Sequence, residues 1–415
     1  WDTHGLPVEL GVEKLLGITK EDIGKKISIE EYNATCRREV LKYKDKWDDL
    51  TRKMGYWVDL RHPYITFENS YIETLWWLLS ELYKKGLLYE SVSIQPYSPA
   101  AGTGLSSHEL NQPGTYKNVK DTSCVAMFKC VKDQRSSFLF ENAGASDDVY
   151  FLAWTTTPWT LPANLALCIN ATLEYEAIQL ETGEIYILGK DTWKNIGIKT
   201  APKVLNSFLG SQLLGIEYWP VFDTYIKIHA DTTTAPTMNK WFSILADDYV
   251  KDSAESNTGT GIVHLAPLFG EDDYRVCLAQ NVITPADMQH LEIIDKNCNL
   301  LELPFLDTKY HGRLILDTET DIIKDLKATQ ALVRIQQIRH EYPYCYRTDT
   351  PLIYRACESF YVDIQTIKPR MIELNRSINW IPNHVGAQRF HNWLECAKDW
   401  CISRSRYFGT PIPVW

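Results

Sequence analysis

Three consecutive hydroxyl side chains, Thr155, Thr156 and Thr157, stand directly before Pro158 in the run Trp154-Thr155-Thr156-Thr157-Pro158-Trp159-Thr160-Leu161-Pro162-Ala163-Asn164. A threonine triplet ordinarily marks a strand, because β-branched side chains suit a pleated surface. Pro158 and Pro162 argue against a strand throughout, since neither can donate to a ladder. The run is expected to leave its sheet as a loop presenting Thr157, Thr160 and Asn164. Such a wall offers donors and acceptors without a strong nucleophile. It suits gripping a polar substrate and orienting a water.

A second group lies farther along. Thr258-Gly259-Thr260-Gly261 turns into the strand-like Ile262-Val263-His264-Leu265, and Gly270 opens a helix at Glu271-Asp272-Asp273-Tyr274. A histidine after a strand is ordinarily satisfied inside a core, and an aspartate in a first helical turn ordinarily serves the helix dipole. The short span between His264 and Asp273, after a glycine-rich turn, also allows a shared pocket. An ionised Asp273 in a partly dry pocket would receive a substrate ammonium group.

Elements able to position these residues can be read from periodicity. Residues up to about 95 read as helical. Ser28-Ile29-Glu30-Glu31 has the form of a capping box. Behind it Ile29, Tyr32, Cys36, Val40, Tyr43, Trp47, Leu50 and Met54 recur at spacings of three and four, which predicts one long helix with one buried stripe, ended by Gly55. A second helix fits Tyr71 to Lys85, stopped by Gly86. From about Thr122 the texture turns to short β-branched and aromatic runs. Tyr175-Glu176-Ala177-Ile178-Gln179-Leu180 and Ile185-Tyr186-Ile187-Leu188, joined through Gly183, predict a β-hairpin. No internal repeat is visible. The expected division is a helical entry over 1–120, a β-rich domain over 121–338 and a closing α/β segment over 339–415.

The 415 residues suffice for roughly two to three domains. A net charge of −10 argues against nonspecific coating of nucleic acid, which rests on neutralising phosphates. The basic run from Arg37 to Lys53 reads as a solvated helix face. Ten cysteines without a C-x-x-C pair fit free thiols in a reducing cytoplasm. No apolar run is long enough for a membrane span. The sequence opens on Trp1, as though cut from something longer.

Trp1-Asp2-Thr3-His4-Gly5-Leu6-Pro7-Val8-Glu9, the threonine run, Gly259 to His264, Gly270 to Tyr274, and Asp399-Trp400-Cys401-Ile402-Ser403-Arg404-Ser405-Arg406-Tyr407-Phe408-Gly409-Thr410-Pro411 together resemble the isoleucyl-tRNA synthetase family. Leucyl and valyl relatives carry Thr-Arg-Pro where this chain has Thr156-Thr157-Pro158. The resemblance implies an α/β fold in which parts of a class I Rossmann-like catalytic domain flank an inserted β-rich editing domain of the CP1 type. It implies ATP-dependent charging of tRNA(Ile) with isoleucine in the full protein, and hydrolysis of mischarged valyl-tRNA(Ile) by the insertion. One methylene in a hydrophobic pocket is worth only about 1–3 kcal/mol, so a second sieve is needed.

The residues matching Thr155, Thr156, Thr157, Thr160, Asn164, His264 and Asp273 line the family's editing pocket. By resemblance Asp273 holds the α-ammonium of a misattached valine, the threonines fix the ester end and the water, and His264 helps exclude isoleucine. Asp2 matches the ligand of the isoleucine amino group in the synthetic site. The His-x-Gly-His and Lys-Met-Ser-Lys-Ser elements that hold ATP with Mg are absent, and the family places them before Trp1 and after Trp415. At the family's zinc positions stand Ser98-Pro99-Ala100-Ala101 and Cys345-Tyr346-Arg347-Thr348, so no zinc is expected. Ser403-Arg404-Ser405-Arg406 suits either tRNA phosphates or structural ion pairs. The expected state is a cytoplasmic monomer with tRNA(Ile), isoleucine, valine and ATP as partners and no membrane. A valyl or leucyl enzyme, and a tRNA-binding module without catalysis, are the competing readings.

Overall fold

The computed structural model describes residues 1–141, 144, 148–231, 240–254 and 258–413. In chain order its principal elements begin with α1 (Leu6–Leu16), α2 (Ile29–Val40), α3 (Lys44–Lys53), α4 (Asn69–Lys84), β1 (Leu88–Ser98), β2 (Thr103–Gly104) and α5 (Ser107–Leu110). Next come β3 (Tyr116–Cys130), β4 (Val149–Thr155), β5 (Ala166–Ile169), β6 (Glu174–Gln179), β7 (Ile185–Gly189), β8 (Lys203–Leu209) and β9 (Tyr218–Trp219). Then follow α6 (Thr224–Asp231), β10 (Ile244–Ala246), β11 (Val263–Leu265), α7 (Glu271–Ala279), α8 (Met288–Leu291), α9 (Glu319–Ala328) and β12 (Leu332–Pro343). The chain closes with β13 (Ile353–Val362), α10 (Ile364–Ser377), α11 (His391–Glu395) and β14 (Trp400–Cys401). Two compact units result, one from Trp1–Val92, Ala100–Gly104 and Glu358–Trp415, the other from Ser93–Pro99 and Leu105–Cys357.

In the first unit, Pro7 starts α1. Gly17, at φ 67°, ends the helix in the left-handed region, where the lack of a Cβ removes the steric penalty. Ser28 caps α2 by accepting from the Glu31 amide at 3.1 Å, which satisfies one of the helix's orphan donors. The single long helix expected here is instead two helices. Leu41–Tyr43 leave the helical ladder, so residues in step along the sequence fall out of step in space. Tyr32 and Cys36 are buried with Val12, Ile23 and Phe408. Beyond the break Tyr43, Trp47, Leu50 and Met54 are exposed, and α3 buries Asp48 against Lys44 at 2.7 Å. The buried stripe therefore stops at α2. The helix read over Tyr71 to Lys85 is α4, with Gly86 at φ 69° behind it.

The second unit is built on a sheet whose main path runs β10-β5-β11-β4-β7-β6-β8, with β3 beside β4 and also pairing β12 and β9. Its pairing is mixed: β5 runs parallel to β10 and antiparallel to β11, while β4 runs parallel to β7 and antiparallel to β3. Every residue of β5 and of β7 is buried, as continuous apolar runs require when both faces of a strand are covered. The hairpin read at Tyr175–Leu188 is present as β6 and β7, with Ala177 opposite Ile187. A cluster of Val125, Leu152, Ile178, Tyr186, Leu188 and Ile196 packs one face. Strand β11 carries His264, β4 ends on Thr155 and α7 carries Asp273, so this one sheet and its adjoining helix support the threonine, histidine and Asp273 candidates.

Candidate functional site

Strand β4 pairs with β3 as far as Thr155, opposite Cys124, and the ladder stops there. Pro158 has no N–H to continue it, and Pro158–Ala163 coils into a tight 3-10 turn. Trp159 fixes this turn by meeting Phe269 edge-on, ring centroids 5.3 Å apart. Both side chains are buried, and the edge-to-face geometry is one that ring quadrupoles favour. The prolines thus do what their chemistry requires and turn the hydroxyls out of the sheet.

The hydroxyl directions follow from proton counting. Thr160 donates its single hydroxyl proton to the Thr157 carbonyl at 2.8 Å, because a carbonyl can only accept. Thr160 Oγ1 also lies 3.0 Å from His264 Nε2. With its one proton already placed, the hydroxyl accepts there and Nε2 carries the hydrogen. Nδ1 is then a bare acceptor, buried and with no hydrogen-bond partner among the described residues. Burial also pushes the imidazole down to about 4, leaving it neutral at physiological pH. Thr157 lies 3.4 Å from Thr160 and 3.3 Å from Thr155, oxygen to oxygen, and its amide donates to Thr155 Oγ1 at 3.1 Å. Thr156 is half-buried in the same run. Replacing Thr160 by Val should strip His264 of its ring partner and cost about 1–3 kcal/mol. Urea unfolding of Thr160→Val against the parent chain measures this, and an unchanged midpoint would remove the bond from the account.

Asp273 sits in the first turn of α7, whose N-cap is Gly270. Its carboxylate accepts from the Ala266 amide at 2.7 Å, two residues beyond His264. A Cβ on Gly270 would fall 2.4 Å from Asp273 Cγ, so only glycine lets the carboxylate lie there. Loss of water pushes the Asp273 carboxyl up to about 7; the Ala266 amide opposes this and the Asp272 charge adds to it. The cause is the ordinary one, that a dry site disfavours the charged form. The residue as a whole is nevertheless only half-buried. A carboxyl balanced between its two forms near neutrality is well suited to an incoming cation, whose charge would favour ionisation.

Not every candidate joins this constellation. Asn164 is turned into the core: its Nδ2 donates to the Ala166 carbonyl at 3.0 Å and its Oδ1 accepts from the Tyr218 hydroxyl at 2.8 Å. It shapes the turn from within. Asp2 belongs to the first unit, is exposed, and accepts from the Tyr64 hydroxyl at 2.6 Å. Thr3 and Thr66 link their hydroxyls at 2.7 Å beside it. Tyr218, the Ala266 amide and the Asp247–Arg275 pair escape sequence reasoning altogether. Only Asp272 and Arg275, three residues apart on one helix, carried a local signal.

The arginines near the carboxyl end divide. Arg406 is a structural ion-pair residue, bonded to Glu9 at 2.8 Å and also to Glu13, whereas Arg404 is exposed. Among the described residues no three His, Cys, Asp or Glu side chains gather as a metal site, and no helix is long and apolar enough to cross a membrane.

The sequence is similar to the isoleucine–tRNA ligase of Porphyromonas gingivalis, at 44% identity over 100% of this chain and 39% of that protein. It is 43% identical to the isoleucine–tRNA ligase of Bacteroides fragilis, again over 39% of that protein, and 38% identical to the cytoplasmic isoleucine–tRNA ligase of Mus musculus over 31% of it. The chain thus spans about two fifths of the length of the first curated relatives it matches, 39%. A crystal structure of the P. knowlesi cytosolic leucyl-tRNA synthetase editing domain overlaps 54% of this chain at 11% identity and a TM-score of 0.35. The family model for class I tRNA synthetases (I, L, M and V) matches residues 1–415, and the chain belongs to that family.

Proposed function

We propose that this chain is part of an isoleucine–tRNA ligase and that its β-rich domain, residues 121–338, hydrolyses valine misattached to tRNA(Ile). The observation that carries the reading is the 3.0 Å contact between Thr160 and His264, which joins the hydroxyl turn to the strand leading to Asp273. Asp273 would hold the substrate ammonium, while Thr155, Thr156 and Thr157 would fix the ester end and a water. Asn164 would shape the turn that presents them. No side chain in this set is a strong nucleophile, so hydrolysis would rest on orientation and hydrogen bonding.

Residues 1–120 and 339–415 would belong to the synthetic domain, with Asp2 placed for the isoleucine amino group. ATP and Mg would serve the complete enzyme. The residues present do not fit that role by themselves, because the two phosphate-binding elements of the family are not among them. The same reading makes the complete protein a cytoplasmic monomer that needs no zinc.

Incubating the chain with valyl- and isoleucyl-tRNA(Ile) tests the proposal. Selective release of valine is the expected result. Binding of both esters without turnover would favour a tRNA-binding module instead.

A further inference from the structure

Helix α7 is fastened by polar contacts at its first turn, its middle and its far end. Arg275 forks onto Asp247, Nη1 to Oδ2 and Nη2 to Oδ1, both at 2.9 Å. Two parallel charge-assisted bonds of this kind fix orientation as well as distance. The same guanidinium reaches back to Asp272 Oδ1 from Nε at 3.2 Å and Nη2 at 2.9 Å. Asp247 is itself anchored: its amide donates to the Ile169 carbonyl at the end of β5 at 3.0 Å. Its Oδ1 also accepts from the Tyr249 amide at 3.0 Å, and the Arg275 guanidinium lies 5.9 Å from the Tyr249 ring centre. At the far end of α7, Gln280 Nε2 donates to the Ala246 carbonyl at 2.6 Å. The helix is therefore tied to β10 and the loop after it at its middle and its far end, and to the end of β11 through Asp273 and Ala266.

We propose that Arg275 is a positioning residue of this site: by gripping Asp247 and Asp272 together it fixes the turn that holds the Asp273 carboxylate and partners the negative charge next to it. The inference rests on the editing reading for its consequence in catalysis, but not for its geometry. The Arg275 side chain is 49% exposed, so its ion pairs add little to global stability. Their effect is local. Among the described residues, the titratable groups that interact electrostatically with Asp273 are Asp272 and Cys277 on its own helix, Cys168 on β5 and Tyr249 after β10. Of these, Asp272 is the neighbour whose charge raises the Asp273 carboxyl, and Arg275 stands against it. Without Arg275, Asp273 would hold its proton to higher pH and its turn would be free to shift.

The test uses the whole chain labelled with 13C at aspartate carboxyls, with Asp273→Asn identifying the resonance. In Arg275→Met the Asp273 midpoint should rise by about 0.5–1 pH unit, and in Arg275→Met with Asp272→Asn it should return. The acid limb of kcat/KM for valyl-tRNA hydrolysis should move with it, and kcat/KM at neutral pH should fall about 10- to 100-fold, with the melting temperature little changed. Arg275→Lys keeps the charge but not the fork, so it should leave the midpoint in place and still lower kcat/KM. It also serves if Arg275→Met does not fold. An unmoved Asp273 midpoint in folded Arg275→Met, or unchanged kcat/KM in Arg275→Lys, would overturn the assignment. If the parent chain hydrolyses no valyl-tRNA, the editing reading falls while the titration still decides the role of Arg275.

Discussion

Asp273→Asn is expected to lower hydrolysis of valyl-tRNA(Ile) by this chain by about 100-fold or more, the scale of losing one charge-assisted contact to a substrate ammonium. Asparagine is the informative replacement because its carbonyl can still accept from Ala266, so the turn is kept and only the charge is lost. The parent chain should also show a pH signature. Its carboxyl is held up to about 7, so kcat/KM should rise with pH until Asp273 is ionised. It should decline again once the substrate amine loses its proton. Asp273→Asn should lack the acid limb.

The same shift makes a stability statement. A carboxyl raised to about 7 on folding costs nothing while both states hold the proton. Stability is then lost as pH climbs from the ordinary carboxylate range to neutrality, by on the order of 3 kcal/mol. The buried His264 adds an opposite rise over the same window in both chains, so urea unfolding at pH 4.5 and pH 8 should show the parent losing about 3 kcal/mol relative to Asp273→Asn. Full deacylation by Asp273→Asn would end the ammonium-anchor role.

The second large effect concerns stability alone. Glu9 is 1% exposed and accepts from Arg406 Nε at 2.8 Å and from the Tyr407 and Phe408 amides at 3.1 and 3.0 Å. Arg406 also reaches Glu13 and the Ala101 carbonyl. Replacing Arg406 by Met would strand two buried carboxylates, a change that typically costs about 3–5 kcal/mol. Burial already pushes the Glu13 carboxyl up, and Arg406 is what holds it down. The loss should therefore be larger at pH 8 than at pH 5, where protonation relieves it. Glu9→Gln with Glu13→Gln should recover part of the loss in the Arg406→Met chain. A shift below about 1 kcal/mol would show that these carboxylates are already neutral or hydrated.

What could be read from sequence was whatever depended on neighbours along the chain. Pro158 and Pro162 announced that the threonines leave the sheet, Gly86 the end of α4, and Gly183 the β6–β7 hairpin. Helix α3 misled because Tyr43, Trp47, Leu50 and Met54 keep the spacing of a buried face across a break that the spacing does not register. Asn164 looked like a pocket wall, yet the Tyr218 hydroxyl that claims its carbonyl lies 54 residues away and nothing local announces it. Arg275 and Asp247 are 28 residues apart and meet only because α7 returns beside β10. Contacts of this kind are set by topology, and one-dimensional periodicity does not carry them.

The run of hydrogens from His264 through Thr160 ends on a peptide oxygen, which has no proton to pass along. It is a closed circuit and not a relay. The imidazole already spends its Nε2 proton inside this circuit, and its other nitrogen is too weakly basic to take one from water near neutrality. Among the described residues of this site, Asp273 is therefore the group whose charge changes near neutrality, beside hydroxyls held in fixed hydrogen bonds.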